Sequence, residues 1–183
     1  EGMMPIHIAT NNNHPQIIQE LVRLGVPVDS RSQAGHTALH YAASSRKLDA
    51  ASTLVSLGAD PNAQDYDGDT CLIYLPQVSA RIALYEFFLE LPNINVNLAN
   101  HAGDTPLHYA AQFNAPLQAV QLMLDKGANG NARNRRGRTP LDYAEARQNT
   151  ALVELLGSHG AKYGADFPHE VPADASGDLL FYL

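Results

Sequence analysis

The chain has 183 residues, of which 45% are hydrophobic, and a formal net charge of −7. This apolar content suffices for a substantial core, whereas the negative charge argues against general binding to nucleic-acid phosphates or anionic lipid. The one cysteine, Cys71, excludes an intramolecular disulfide, and no apolar run approaches the ~20 residues of a membrane helix, so we expect an intracellular protein, cytoplasmic or nuclear.

Five segments of similar sequence each begin at a glycine and follow one another at intervals of 33, 33, 35 and 34 residues. They read GMMPIHIAT from Gly2, GHTALHYAA from Gly35, GDTCLIYLP from Gly68, GDTPLHYAA from Gly103 and GRTPLDYAE from Gly137. A short helix is predicted in each segment, because threonine is a favourable N-cap and proline suits the first helical position. The predicted caps are Thr37, Thr70, Thr105 and Thr139.

A second apolar stretch follows each segment, with aliphatic residues at helical spacing such as Ile17, Leu21 and Leu24. Gly25, Gly58 and Gly127 then end three of these stretches, and a tract of turn residues leads into the next segment. The pattern predicts one helix pair per unit. A single pair is too small to bury its own apolar face, so neighbouring units are expected to stack.

The TPLH-type motif, the period of about 33 residues and the turn tracts together resemble ankyrin repeats. The resemblance covers residues 1–162 and implies an all-α repeat solenoid, in which helix-turn-helix pairs are joined by β-hairpin loops. We expect residues 163–183 to form a C-terminal tail, which is either a linker or a packed peptide. The expected repeats span approximately residues 1–31, 32–64, 65–99, 100–133 and 134–162.

Three departures from the repeat pattern carry their own expectations. Pro76 stands where the other units have threonine, alanine or glutamate, and we expect it to shorten the first helix of its unit. Two extra residues near positions 91–94 lengthen the connection to the fourth unit, and we expect a local widening or change in curvature of the stack there. The first unit begins at its own glycine and has Met4 in place of the capping threonine, which favours a piece of a longer protein. The tail ends in five consecutive apolar residues, which leaves open a loose linker or a peptide packed on the array.

The motifs of hydrolases, metalloproteases and nucleotide-binding enzymes are absent from the sequence, so no catalytic activity, cofactor or metal is predicted. His7, His40 and His108 occupy the repeat motif, where the resemblance implies hydrogen bonds that tie neighbouring loops together. His36 and His40 are four residues apart, but His36 precedes the predicted cap and lies outside the helix. Cys71 is interpreted as a packed thiol.

The resemblance implies a protein-interaction module that binds its partner through the concave palm of the first helices and through the hairpin tips. Tyr41, Tyr74, Tyr109 and Tyr143 recur at one position and are interpreted as packing between repeats rather than as an aromatic binding strip. Candidate partner-binding residues lie on the tips and at the ends of the first helices. They are Gln33, Ser44, Ser45, Tyr66, Asp67, Asp69, His101, Asp104, Gln112, Phe113, Arg133, Arg135, Arg136, Arg138 and Arg147.

Two tips carry opposite charge. Residues 60–69 contain four aspartates and no base, whereas residues 133–138 contain four arginines and no acid. The arginines favour a partner protein or peptide with an acidic or phosphorylated segment, because guanidinium groups bind carboxylates and phosphates in a bidentate manner. Two alternatives stay open: a regulatory or targeting domain of a larger enzyme or transport protein, and a tail that competes for the palm.

Overall fold

The computed structural model describes residues 2–77 and 82–164. In this part the chain forms ten α-helices in five consecutive pairs, here called repeats 1 to 5, and the hairpin loops contribute one isolated bridge between Gln64 and Thr70. The predicted all-α repeat solenoid of helix pairs is confirmed. The pairs are α1 (Pro5–Asn11) with α2 (Pro15–Arg23), α3 (Ala38–Ser44) with α4 (Leu48–Ser56), α5 (Cys71–Gln77) with α6 (Ile82–Leu89), α7 (Pro106–Gln112) with α8 (Leu117–Asp125), and α9 (Pro140–Ala146) with α10 (Thr150–Ser158).

The helices stack in two parallel rows. α1, α3, α5, α7 and α9 contact one another in sequence, and α2, α4, α6, α8 and α10 do the same. One continuous core runs between the rows, in which the leucines of the repeat motif are almost completely buried: Leu39, Leu72, Leu107 and Leu141. At about 25 cal/mol per Å² of apolar area, each contributes roughly 2 kcal/mol. Stability is thus distributed along the stack.

The motif histidine joins the start of its own helix to the next repeat. The Thr37 backbone N–H donates to His40 Nδ1 (3.1 Å), and His40 Nε2 lies 3.0 Å from the Asp69 carbonyl oxygen. His108 bridges Thr105 and the Arg138 carbonyl in the same way. The tie between loops implied by the family resemblance is therefore present. Burial lowers the pKa of His40 to about 4, so this histidine stays neutral at pH 7.

Repeat 3 lacks this bridge because Ile73 occupies the position of the histidine. Within the described residues, the buried hydroxyl of Thr70 has no hydrogen-bond partner. The prediction that Thr70 caps its helix through its side chain is therefore wrong. A buried hydroxyl without a partner costs about 1–3 kcal/mol of stability.

We therefore expect Thr70→Val to raise the free energy of unfolding by about 1 kcal/mol, because valine fills the same volume without an unsatisfied oxygen. The matched control is Thr105→Val, which removes a hydroxyl 2.9 Å from His108 Nδ1 and should lower stability. Urea unfolding of the two variants measures both changes. Equal destabilisation by the two substitutions would contradict the interpretation of Thr70.

The first helix of repeat 3 is as long as its counterparts, so the expected shortening at Pro76 is wrong. α5 runs from Cys71 to Gln77, seven residues, and contains Pro76 in its last turn. Pro76 has no N–H to donate to the Leu72 carbonyl, so α5 forms in spite of one lost hydrogen bond. The buried side chains of Ile73 and Leu75 keep the helix in the stack.

The chain stays in contact with repeat 5 as far as Gly164. The Gly164 N–H donates to the Asp142 carboxylate (2.9 Å), and the Thr139 hydroxyl donates to the Lys162 carbonyl (2.9 Å). Asp142 thus replaces the motif histidine and holds the start of the segment for which the sequence predicts a tail. Whether residues 165–183 form a linker or a packed peptide lies outside the described residues.

Candidate partner-binding surface

The hairpin tips are joined to one another by backbone hydrogen bonds. At three junctions the N–H of one tip donates to a carbonyl of the preceding tip: Tyr66 to Ala34 (3.3 Å), His101 to Asp67 (2.9 Å) and Arg135 to Ala102 (2.9 Å). Four side chains at equivalent positions therefore form one exposed row, here called the tip row. The tip row consists of Gln33, Tyr66, His101 and Arg135, all predicted as contact residues.

Within each tip, a polar side chain also accepts hydrogen bonds from the backbone of the same tip. Asn134 Oδ1 accepts the backbone N–H groups of Arg136 and Arg138, both at 3.0 Å. Asn100 accepts those of Ala102 and Asp104 in the same geometry. A polar side chain that bonds its own backbone in this way stabilises a tight turn. The tips are consequently fixed before any partner binds.

Asp69 and Asp104, two predicted contact residues, are buried. The Asp69 carboxylate accepts the side-chain amide of Asn100 (2.7 Å), and that of Asp104 accepts the amide of Asn134 (2.6 Å). Both aspartates therefore link neighbouring repeats and do not belong to the exposed surface. Burial raises the pKa of Asp69 to about 6, although the Asn100 hydrogen bond acts in the opposite direction.

At the junction between repeats 2 and 3 the same two positions are paired, but the carboxylate stands at the second position instead of the first. Here His36 stands at the position of Asp69, and its Nε2 lies 3.3 Å from the carboxylate of Asp65. The Tyr74 hydroxyl donates to the same carboxylate (2.6 Å). Burial favours protonation of Asp65, but the hydrogen bonds from His36, Tyr74 and the backbone outweigh it and lower its pKa to about 2. Sequence reasoning missed this cluster.

The two charged tips differ in how many of their charged side chains are exposed. Asp65 and Asp69 are buried, so only Asp60 and Asp67 of the predicted acidic patch are exposed. The basic patch is retained and is here called the arginine tip: Arg133, Arg135, Arg136 and Arg138. The first three are exposed, and the half-buried Arg138 guanidinium lies 5.7 Å from the ring centroid of Tyr143.

The predicted contact residues at the helix ends divide into two groups. Phe113 and Arg147 are exposed, and the Phe113 ring stacks on Tyr109 with centroids 5.9 Å apart. Ser44, Ser45 and Gln112 are half-buried. The hydroxyls of both serines bond other groups of the array: Ser44 donates to the Tyr41 carbonyl and Ser45 to the Asn11 side chain. Phe113 is accordingly the strongest apolar candidate at the helix ends.

The recurring tyrosines support the tips. Tyr109 and Tyr143 are half-buried, and their hydroxyls accept hydrogen bonds from Asn100 (3.2 Å) and Asn134 (3.0 Å), respectively. This arrangement agrees with packing as their main role. The hydroxyl groups in addition contact the tip asparagines, which the sequence did not indicate.

The described residues contain no cluster of three or more histidine, cysteine or acidic side chains that could hold a metal ion. Cys71 is buried, its thiol donates to the Pro61 carbonyl (3.2 Å), and burial raises its pKa to about 12. A thiol in this environment is a poor nucleophile. Among the helices of residues 2–77 and 82–164, none has the length and apolar character needed to cross a membrane.

Three curated proteins illustrate the similarity to known sequences. A mitochondrial disaggregase of Bos taurus is 33% identical over 159 residues, which cover 85% of this chain and 22% of that protein. A putative ankyrin repeat protein of Rickettsia felis is 34% identical over 119 residues, or 64% of this chain and 38% of that protein. The B-cell lymphoma 3 protein homolog of Mus musculus is 30% identical over 173 residues, or 90% and 38%.

This chain therefore spans between about a fifth and two fifths of the length of these relatives. The family model for ankyrin repeats, which describes three copies, matches residues 1–65 and 78–166. Together with the five stacked helix pairs and the histidine bridges between them, this match shows that the chain belongs to the ankyrin-repeat family, whose members are in general protein-interaction modules.

Proposed function

We propose that this array binds a partner protein or peptide that carries an acidic or phosphorylated segment, and that the arginine tip is the main contact. One observation carries the proposal: three exposed arginines are held on a tip whose backbone is fixed by Asn134 and by the neighbouring tip. Guanidinium groups on a rigid support bind carboxylates or phosphates with little loss of conformational entropy.

The charge distribution of the chain supports this proposal. The net charge is −7, so the arginine tip is a local positive region on a negative protein. The exposed Asp67 lies two tips away, about 20 Å at the ~10 Å spacing of packed helices, which exceeds a Debye length of about 8 Å. An acidic partner segment is attracted to one end of the tip row and repelled from the other, which orients it.

Two exposed aromatic side chains supply apolar contact beside the charges. Tyr66 is 61% exposed in the tip row, and Phe113 is 36% exposed at the end of α7. Aromatic and arginine side chains are the types that most often dominate interface energetics. We propose that an extended segment contacts the arginine tip and places apolar residues against Phe113, with Arg147, Gln112 and the remaining tip residues at the edge of the contact.

The test is a charge reversal at the exposed arginines, Arg133→Glu, Arg135→Glu and Arg136→Glu combined. The probe is a fluorescein-labelled peptide of glutamate, serine and phosphoserine residues, titrated at about 0.05 M and 0.5 M salt. We expect the Kd at low salt to rise about tenfold or more, because three charge contacts of a few tenths to 1 kcal/mol each are lost. The effect should shrink at high salt.

The matched control reverses three exposed basic residues outside the tip, Arg23→Glu, Arg46→Glu and Lys126→Glu, and so changes the net charge equally. We expect this control to alter the Kd less than threefold. Equal weakening in the two triple variants would show that only the overall charge matters and would remove the arginine tip as the contact.

We further infer that the array serves as the partner-recognising part of a longer protein. This inference is supported by the share of the relatives that the chain covers, 22% for the Bos taurus disaggregase. A reducing compartment such as the cytoplasm or the nucleus suits the single buried cysteine. The full-length transcript is the direct test, since an open reading frame limited to these residues contradicts it.

A further inference from the structure

The residues that follow α10 return to the arginine tip. The Lys162 carbonyl accepts the Thr139 hydroxyl (2.9 Å), and the Gly164 N–H donates to the Asp142 carboxylate (2.9 Å). Thr139 and Asp142 belong to the start of α9, the helix that directly follows the arginine tip. The part of the chain beyond Gly164 therefore starts on the side of the array that carries the tips.

Gly164 lies in close contact with the tip itself. A Cβ placed on Gly164 would overlap the Gly137 carbonyl oxygen and would lie 2.9 Å from Asp142 Oδ2, so only glycine fits at this position. Gly137 lies within the arginine tip, between its last two arginines. Asp166, two positions after Gly164, is at most about 7 Å further along the chain, so its carboxylate can reach the arginines.

The sequence beyond Gly164 is complementary in charge to the arginine tip. Residues 165–183 contain four acidic side chains and no lysine or arginine: Asp166, Glu170, Asp174 and Asp178. The acids recur at every fourth position. Residues an even number of positions apart point to the same side of an extended chain. The spacing therefore suits a ligand that presents its carboxylates to one surface.

We propose that residues 166–178, here called the acidic segment, bind the arginine tip of their own chain and compete there with the acidic or phosphorylated partner. The competition rests on the function proposed above, whereas the contact between the acidic segment and the tip does not. The acidic segment binds in an extended form, which Pro168 and Pro172 favour in the residues that precede them.

The attachment beside the tip makes weak charge contacts sufficient. Each exposed contact between a carboxylate and a guanidinium contributes only a few tenths to 1 kcal/mol. A segment tethered a few residues from its site, however, has an effective concentration in the millimolar range. A phosphate group carries nearly two negative charges and displaces a carboxylate from such a site. The arginine tip therefore selects phosphorylated or strongly acidic partners over weakly acidic ones.

The test neutralises the acidic segment in the full chain, with Asp166→Asn, Glu170→Gln, Asp174→Asn and Asp178→Asn combined. The probe is the fluorescein-labelled peptide of glutamate, serine and phosphoserine described above, titrated at about 0.05 M and 0.5 M salt. We expect the Kd at low salt to fall about threefold to tenfold, because the competing segment no longer binds the tip. The Kd at high salt should change little, since salt already weakens the contact.

The matched control neutralises four exposed acids on or next to the second helices, Asp49→Asn, Glu90→Gln, Asp125→Asn and Glu154→Gln, and so changes the net charge equally. We expect this control to alter the Kd less than twofold. An equal fall of the Kd in the two variants would show a general loss of repulsion and would overturn the proposal.

A second measurement does not depend on the partner. The NMR signals of the Nε–H groups of Arg133, Arg135 and Arg136 are compared between the original chain and the variant with the neutralised acidic segment. We expect these signals to shift on neutralisation and to return toward their original positions when a synthetic peptide of residues 163–183 is added. Unchanged arginine signals would overturn the proposal. Shifted signals, together with a labelled peptide that binds neither chain, would retain the contact and remove the proposed function instead.

Discussion

Replacing Gly103 with alanine is expected to lower the free energy of unfolding by about 2–4 kcal/mol. Gly103 has φ +82°, a conformation that costs an L-residue about 1–2 kcal/mol. In addition, its new Cβ would lie 2.9 Å from the Arg135 nitrogen and 3.0 Å from the Asn134 Cα, both backbone atoms. The neighbouring tip cannot yield without loss of the Arg135–Ala102 hydrogen bond.

The matched control is Gly58→Ala. Gly58 has φ +89°, but nothing lies within 4 Å of the position that its Cβ would take. We expect this variant to lose about 1 kcal/mol from backbone strain alone. Thermal and urea unfolding of the two variants separate strain from steric conflict. If both lose the same stability, the close approach of the tips does not contribute.

Acidification from pH 7 to about 4.5 is expected to destabilise the array through its buried histidines. Burial lowers the pKa of His40 from 6.5 to about 4, and burial also lowers the pKa values of His7 and His108. These groups contribute stability that is fully present above pH 6.5. It is lost as the pH falls toward the folded-state values, because the unfolded chain binds the protons first; for His40 alone the limit is about 3 kcal/mol.

The shifted pKa of Asp69 changes stability in the opposite direction over part of the same pH range. Its pKa is raised from 3.8 to about 6, so the folded chain takes up this proton first and gains stability as the pH falls. The variant Asp69→Asn removes this compensation and retains an oxygen for the Asn100 amide. Its unfolding free energy should therefore fall more steeply between pH 7 and 4.5 than that of the original chain. An unchanged or shallower profile would contradict the assignment.

The fold could be predicted from the sequence because each repeat carries its own local signals. The glycines recur at intervals of 33 to 35 residues and all have positive φ, and His40 and His108 accept the same hydrogen bond from the backbone of the threonine three residues earlier. Pro76 misled the prediction, because the burial of Ile73 and Leu75 in the stack keeps the helix formed in spite of the donor that the proline lacks. Ile73 was a visible departure, but its effect on Thr70 required knowledge of side-chain burial.

The candidate surface was less predictable. Position within a tip correctly indicated exposure for Tyr66, His101 and Arg135, but not for Asp69 or Asp104. Their burial depends on asparagines that lie 31 and 30 residues further along the chain. The sequence does contain a signal for this burial, which is the spacing of two polar residues. One follows each tip glycine and the other lies three positions before the next tip glycine, and the two form a hydrogen-bonding pair at three successive junctions.

The pair His36–Asp65, at the junction of repeats 2 and 3, differs in residue type from the pairs at the next two junctions. This difference limits which segments of the chain can be duplicated or exchanged. His36 requires Asp65, whereas Asp69 requires Asn100, and each pair lies within one interval between successive tip glycines. A duplicated segment of residues 65–99 would set the carboxylates of Asp69 and a second Asp65 against each other, and like charges in a buried site repel. Segments that can be exchanged or duplicated without conflict therefore run from glycine to glycine: 36–68, 69–103 and 104–137.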